Sequence, residues 1–191
     1  MIGTNVQAGG TGVDDIRAKL SGSADDRADA FTCLLDDALD RSFRLAAVIL
    51  GDRDDAEDAV SDAALRAWQH VASLRDPEKF HAWFSKILVN VCRDRLRQRH
   101  RPSIVADATP AVVDPFAASV ERAALRDALS TLTPEHRAVI ALRYLEGMTA
   151  EQVAEQLDMP VGTVKSRLHY GLAELRAAYD AAARDPLGAI R

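Results

Sequence analysis

Apolar residues recur at three- and four-residue spacing along most of the chain, and no segment alternates β-branched and polar residues as strands do. The pattern predicts an all-α protein: two small helical domains joined by a flexible linker, the C-terminal one a helix-turn-helix. A first helix is expected from about Ala24 to Leu50, broken near Asp40, with Phe31, Leu34, Leu35, Leu39, Phe43, Ala46, Ala47 and Leu50 on its apolar face and Gly51 as its stop. The next, roughly Arg53 to Ser73, opens on the acidic turn Asp54, Asp55, Glu57, Asp58, which suits a helix N-terminus, and would bury Ala56, Val60, Ala64 and Trp68. After a break at 74–79, a long helix from Phe80 to Arg99 carries Phe80, Trp83, Phe84, Ile87, Leu88, Val91 and Leu96. Its end fades into Arg93, Arg95, Arg97, Arg99 and Arg101.

Pro102, Pro110 and Pro115 punctuate a stretch without helical period, the expected linker at 102–116. The N-terminal domain then occupies 24–101 and the C-terminal domain 117–183. Residues 1–23 are expected to be disordered or weakly helical, with a short helix at Asp14–Leu20, and 184–191 to fray. Within the second domain the helices fall at about Ala117–Leu129, Pro134–Leu145, Thr149–Leu157 and Pro160–Ala183, with Thr133 capping the second of these ahead of Pro134.

The last two of these helices carry the sharpest signal. Thr149 is a good N-cap, and Gln152 stands three residues on in the reciprocal position of a capping box. Asp158-Met159-Pro160 ends the first helix, and Pro160 fits the first turn of the second. On a wheel of roughly 100° per residue, Val161, Val164, Leu168, Leu172, Leu175 and Tyr179 share one face. The opposite face holds Gly162, Thr163, Ser166, His169 and Tyr170, flanked by Lys165 and Arg167. Long cations at the edges can reach phosphates while small polar groups let the backbone approach base edges. A generic amphipathic hairpin would look similar, but the compact turn, small residues and flanking cations together favour DNA binding.

Charge changes the picture only when divided along the chain. The net value of -5 resolves into -8 over 1–62, +6 over 63–101 and -3 over 102–191. An acidic block before a basic one suggests two partners of opposite charge. No apolar run is long enough to span a membrane and no signal-peptide order is present, so a cytoplasmic protein without membrane insertion is expected. Cys33 and Cys92 belong to no metal-binding or CxxC spacing and read as small buried hydrophobes, a redox role being the lesser alternative. No nucleophile–base constellation, metal cluster or phosphate loop appears, so no catalytic or metal residue and no cofactor is expected, and the chain is read as a non-enzyme. A nucleic-acid enzyme is therefore disfavoured. A free-standing helix-turn-helix regulator remains the alternative.

Three segments, GDRDDAEDAVSDAALRAW, KFHAWFSKILVNVCRDRLRQRHR and LSTLTPEHRAVIALRYLEGMTAEQVAEQLDMPVGTVKSRL, stand in an order and spacing that resembles an extracytoplasmic-function sigma factor, the two-domain promoter-recognition subunit of bacterial RNA polymerase. The likeness covers about Phe43 to Tyr179. It implies that 24–101 acts as sigma region 2 and 117–183 as sigma region 4, and that the chain binds core RNA polymerase through the largest subunit's clamp helices and the flap. It further implies promoter recognition at −35 and −10 elements, help in melting, and an anti-sigma factor as partner.

By the same resemblance Asp58, Ser61, Asp62 and Arg66 would dock on polymerase, Asp54 and Asp55 being left as a solvated acidic face. Arg75, Lys79, Phe80, Trp83, Lys86, Asn90, Arg93 and Arg97 would meet the −10 element, where aromatic and amide groups hold an unstacked base and cations track the backbone, and Arg95 and Arg99 on the same basic helix end are expected to meet phosphates with them rather than stay solvated. For Trp83, core packing and base contact stay equally open. The −35 contacts would fall on Thr163, Lys165, Ser166, Arg167, His169 and Tyr170. Tyr170 replaces a cation often found there, so no particular −35 sequence carries over.

Overall fold

The computed structural model describes residues 12–74, 76–99 and 120–184, with every regular element among them helical. The expectations of a linker at 102–116, of disorder in the first residues and of fraying after Arg184 fall on residues outside this range, as does the one for Arg75. Eight α-helices are described: α1 Val13–Leu20, α2 Ala24–Leu50, α3 Arg53–His70, α4 Phe80–Arg99, α5 Val120–Ser130, α6 Pro134–Tyr144, α7 Ala150–Leu157 and α8 Val161–Arg184. Two single 3₁₀ turns, Val71–Ser73 and Pro77–Lys79, connect α3 to α4.

Local chemistry sets most of the boundaries. Ser23 and Asp26 form a capping box at the start of α2, each side chain accepting from the other's backbone N–H at 3.2 and 3.0 Å. That hydrogen bonding, Ser23 hydroxyl first, holds the Asp26 carboxyl below its usual range. Gly51 closes α2 in the left-handed region, φ 73°, and Asp52 accepts from the Asp55 N–H to open α3 one residue later. Thr133 caps α6 ahead of Pro134, and Thr149 with Gln152 forms the capping box expected for α7.

Contrary to expectation, α2 runs unbroken through Asp40. That residue points to water, where an aspartate in a helix costs only about 0.7 kcal/mol, too little to interrupt a packed helix. The buried face of α2 is also rotated from the expected one. Ala38, Ser42, Leu45 and Ile49 lie in the core, whereas Leu35, Leu39, Phe43 and Ala47 are only half-buried. Ala38 and Ser42 carry little hydrophobic signal, but their small side chains suit a helix held tightly by neighbours. In α3 the buried row is Ala56, Ala59, Val60, Ala63 and Ala67, all small, which lets α2 and α4 approach closely. Trp68, expected in that row, is displaced to its edge and meets Phe31 edge-on at 5.4 Å.

Helices α2, α3 and α4 pack into one bundle, and α5 to α8 into a second in which α8 runs against α5, α6 and α7. The two bundles touch. Six consecutive residues of α6, Arg137 to Leu142, are buried, because α6 lies against α8 on one side and against α2 on the other. A single apolar core therefore runs from Phe31 and Phe84 through Ile49 to Val139, Val153 and Val164.

Candidate nucleic-acid interface and acidic docking face

The long helix α4 divides its residues between two environments. Phe84, Leu88, Val91 and Cys92 fill the first bundle, where burial pushes the Cys92 thiol up to about 12 and makes it an inert apolar group. Cys33 is half-buried, so the expectation of two core cysteines holds fully only for Cys92. Positions 83, 86, 90, 93 and 97 fall within a sector of about 80° at roughly 100° per residue. Trp83, Lys86, Asn90, Arg93 and Arg97 thus form one outward stripe four turns long, and Lys79 leads into it from the preceding 3₁₀ turn. Lys86, Asn90 and Arg97 are exposed and Trp83 and Arg93 half-buried. The Asn90 amide is on the solvent side, and among the described residues it has no hydrogen-bond partner, so its place between apolar neighbours reflects only helical alternation. Lys79 and Arg97 each pair with a neighbouring carboxylate, Asp76 and Asp94, through exposed contacts worth at most about 1 kcal/mol.

Phe80 leaves this group. It is 3 % exposed, stacked on Phe84 at 5.7 Å and edge-on to Phe31 at 5.9 Å. Its expected base contact is replaced by a core role, because position 80 faces the first bundle rather than the stripe. Trp83 leans on Phe80 with centroids 5.8 Å apart and keeps part of its ring in solvent, so it closes the core and borders the stripe at once.

The outer face of α3 is acidic with an apolar centre. Asp54, Asp58, Ser61 and Asp62 are exposed along it, and Leu65 stands among them at 60 % exposure with Trp68 beside it. Ser61 donates to the Glu57 carbonyl at 3.0 Å. Leu65 was absent from the sequence expectation; its place at i+3 and i+4 from Asp62 and Ser61 was the available signal. The inner edge of this face is bonded to α4. Arg95 reaches Asp62 at 2.6 Å, Asp58 at 3.6 Å and Asp55 at 3.9 Å, Arg99 pairs with Asp55, and Arg66 meets Asp94 at 3.4 Å. Asp55 is therefore part of an ion-pair network, not the freely solvated group expected. Arg95 and Arg99, expected among the phosphate-facing cations, turn towards α3 instead.

In the second bundle, α7 and α8 are joined by a turn of three residues. Asp158 takes the left-handed conformation (φ 53°, ψ 56°), its N–H closing α7 onto Ala154 and Glu155, and the Met159 N–H follows onto Ala154 at 3.0 Å. The Pro160 carbonyl accepts from the Thr163 and Val164 N–H groups, so Pro160 caps α8 rather than beginning it. Val153, Leu157 and Val164 lock the two helices together. Gly162, Lys165, Ser166, His169 and Tyr170 are exposed, and Thr163 and Arg167 are half-buried on the flank. Tyr170, 61 % exposed, meets His169 edge-on at 5.3 Å. Lys165 lies 3.8 Å from Glu151 of α7, Arg167 turns back to the Met159 sulfur at 3.8 Å, and the Ser166 hydroxyl donates to Gly162 and Thr163 carbonyls. His136 ties α6 to α8 through Glu174 at 2.8 Å.

Two solvent-facing stripes of cationic, amide and aromatic groups, each on a different helical bundle, together with an acidic face on α3, have the chemistry expected of a DNA-binding protein with a second macromolecular partner. Residues 34–102 match the family model described as sigma-70 region 2, and residues 128–177 match sigma-70, region 4. The chain is 36 % identical over 166 residues to the ECF RNA polymerase sigma factor SigL of Mycobacterium tuberculosis, covering 83 % of this chain and 94 % of that protein. It is 29 % identical over 165 residues to SigW of Bacillus subtilis, covering 78 % and 88 %. Among solved structures, CnrH in complex with the cytosolic domain of CnrY aligns with a TM-score of 0.60 and 27 % identity over 87 % of this chain and 96 % of that one. RpoE from Bartonella quintana, in complex with the anti-sigma factor NepR, aligns at 0.57 and 24 % identity over 82 % and 98 %, a likeness of fold. The chain belongs to the extracytoplasmic-function sigma factors of the sigma-70 family. It is a transcription initiation factor. No helix among the described residues is long and apolar enough to cross a membrane.

Proposed function

We propose that this sigma factor works in the cytoplasm, docks on core RNA polymerase through the outer face of α3, reads a −35 element with α8, and engages and helps to melt a −10 element with α4. The observation that carries this reading is the α4 stripe. Trp83 and Asn90 offer a ring and an amide to an unstacked base, while Lys86, Arg93 and Arg97 are spaced to follow a phosphate backbone. On α8, Ser166, His169 and Tyr170 would meet base edges, with Thr163 and Lys165 and Arg167 positioning the helix on phosphates. Leu65 and Trp68 extend the docking face around Asp58, Ser61 and Asp62, giving it the apolar centre and polar rim of a specific interface. Arg66 fixes its edge through Asp94. CnrH was solved bound to a cytosolic partner domain, and we extend that to this chain as an anti-sigma partner.

Charge reversal tests the docking assignment. Asp58→Arg with Asp62→Arg should weaken capture of core polymerase by more than about tenfold, since like charges at an interface cost several kcal/mol. Asp54→Arg, which leaves the Arg95 network intact, should change it little. Because Asp58 and Asp62 also bond Arg95, a second control is Arg95→Ala, which breaks the same network and should leave capture of core polymerase near wild type. Equal losses from the double variant and from Asp54→Arg would show that bulk acidity governs binding.

A further inference from the structure

The 3₁₀ turn Pro77–Lys79, which leads into the α4 stripe, is held from two sides. On the inner side Pro77 and Phe80 are buried, Phe80 between Phe31 of α2 and Phe84. On the outer side the hold comes from Asp76. A residue ahead of proline is driven to extended backbone, and Asp76 adopts it, with φ −136° and ψ 108°. From there its carboxylate caps the turn, Oδ1 accepting from the Glu78 N–H at 3.2 Å. The same oxygen lies 3.6 Å from Nη2 of Arg17 in α1, and Oδ2 lies 3.7 Å from the Lys79 ammonium. The other end of the Arg17 guanidinium, Nη1, donates to Asp14 at 3.3 Å, so the group is tied at both ends.

Helix α1 is itself anchored. Ile16, next to Arg17, is buried in the core, and Leu20 packs against the same core. The helix lies against both α2 and the Pro77–Lys79 turn. Both α1 and Phe31 precede residue 34, where the match to sigma-70 region 2 begins, so support for the turn comes from a part of the chain ahead of that match. The charges give this support a consequence. Asp76 places an anion where the cationic stripe begins, beside Lys79, its first cation. A phosphate that takes Lys79 removes one partner from Asp76 and brings a like charge towards it. Arg17 remains to neutralise the carboxylate, so the turn keeps its cap while Lys79 exchanges Asp76 for DNA.

We infer that Arg17 is a positioning residue for −10 engagement: through Asp76 it holds the Pro77–Lys79 turn in shape and frees Lys79 for the DNA backbone. The inference rests on the −10 reading of α4 above. Arg17 touches no DNA in this role. Its side chain is half exposed and alanine suits a helix, so Arg17→Ala should leave α1 folded.

The test uses holoenzyme reconstituted from core polymerase and the full chain, on a promoter that the wild-type holoenzyme selects from a random-fragment library. Arg17→Ala should lower the yield of permanganate-reactive thymines near −10 about three- to fivefold, the range that one exposed ion pair supplies. Arg17→Lys, which keeps the charge, should recover most of that loss. Binding of the holoenzyme to a duplex that ends upstream of −10 should not change. The decisive arm is Asp76→Asn, which removes the charge and keeps an oxygen for the Glu78 N–H. In that background Arg17→Ala should cost less than about twofold. An unchanged yield for Arg17→Ala overturns the inference. So does a loss equally large in the Asp76→Asn background, which would make Arg17 a direct phosphate contact or a prop for α1. If wild-type holoenzyme melts no promoter, the −10 reading fails and the role of Arg17 in it fails too. Hydrogen exchange over Asp76–Phe80 in the free chain, expected to quicken about three- to fivefold in Arg17→Ala, still reports whether Arg17 orders the turn.

Discussion

Removing the Arg137 guanidinium should uncouple the two bundles before it unfolds either. The side chain makes three hydrogen bonds to carbonyls, two of them across the bundle contact. Charge-assisted bonds contribute about 1.5–3 kcal/mol each, and carbonyls left buried without a donor lose that and their solvation. Against this, burial already disfavours the cation: it lowers the Arg137 pKa from its usual value, with Arg99 adding to the effect and Glu135 opposing it. Truncation recovers that desolvation cost, so the net loss for Arg137→Ala should be about 3 kcal/mol. Arg137→Met, which keeps the bulk, should lose about 2 kcal/mol. With a urea m-value near 2 kcal/mol/M, the alanine variant's midpoint should fall by about 1.5 M. The shape of the transition is more telling than its midpoint. Wild type should unfold in one step, followed equally by Trp83 and Trp68 fluorescence in the first bundle and by far-ultraviolet circular dichroism over the whole chain. Arg137→Ala should separate the two probes. A midpoint within about 0.3 M of wild type and coincident probes would refute the reasoning.

Two further outcomes follow from particular backbone and side-chain environments. Asp158 holds a left-handed conformation that glycine adopts freely, so Asp158→Gly should be neutral or stabilise by about 0.5 kcal/mol, and Asp158→Val should cost about 1–2 kcal/mol in thermal unfolding. Burial holds the His81 imidazole below its usual 6.5, with Glu146 opposing and Arg41 reinforcing the shift. Because the packed form binds the proton less tightly than the open one, closure is favoured above pH 6.5 and weakens as pH falls through 6.5 towards the lowered value. Scattering should therefore show a larger radius at pH 5.5 than at 7.5, and His81→Gln should flatten that dependence; a radius that shrinks on acidification would reverse the assigned sign.

What the sequence disclosed was mainly what is decided within one turn of backbone. Thr149 with Gln152, Thr133 with Pro134, and Gly51 each set a helix end through contacts three or four residues away, and all appear as expected. The α8 wheel was equally readable, since its buried and exposed faces follow from spacing alone. Helix α6 shows where such reading stops. Ala138 to Leu142 announce burial, but nothing local says that half of the burial is against α2. Arg137 and Glu146 look like ordinary surface charges, because their partners lie 88 and 105 positions away. The same distance effect hid the Arg95–Asp62 pair and drew Arg95 and Asp55 out of the roles expected for them. Phe80 failed for another reason: an aromatic residue at the start of a helix suits a core and a stacked base equally well, and only the direction of its Cα–Cβ bond separates them.

The most direct measurement is permanganate reactivity of thymines on promoters selected by run-off transcription from a random-fragment library, with core polymerase and the full chain. The account predicts reactive thymines near −10 only when both are present, and loss of that reactivity in Asn90→Ala while the holoenzyme still binds the duplex. Ser166→Ala and Tyr170→Ala should instead shift which −35 sequences are opened, by about 1–3 kcal/mol per lost base contact. Tight sequence-specific binding of the free chain to duplex DNA, or thymine reactivity no different from core polymerase alone, would contradict it.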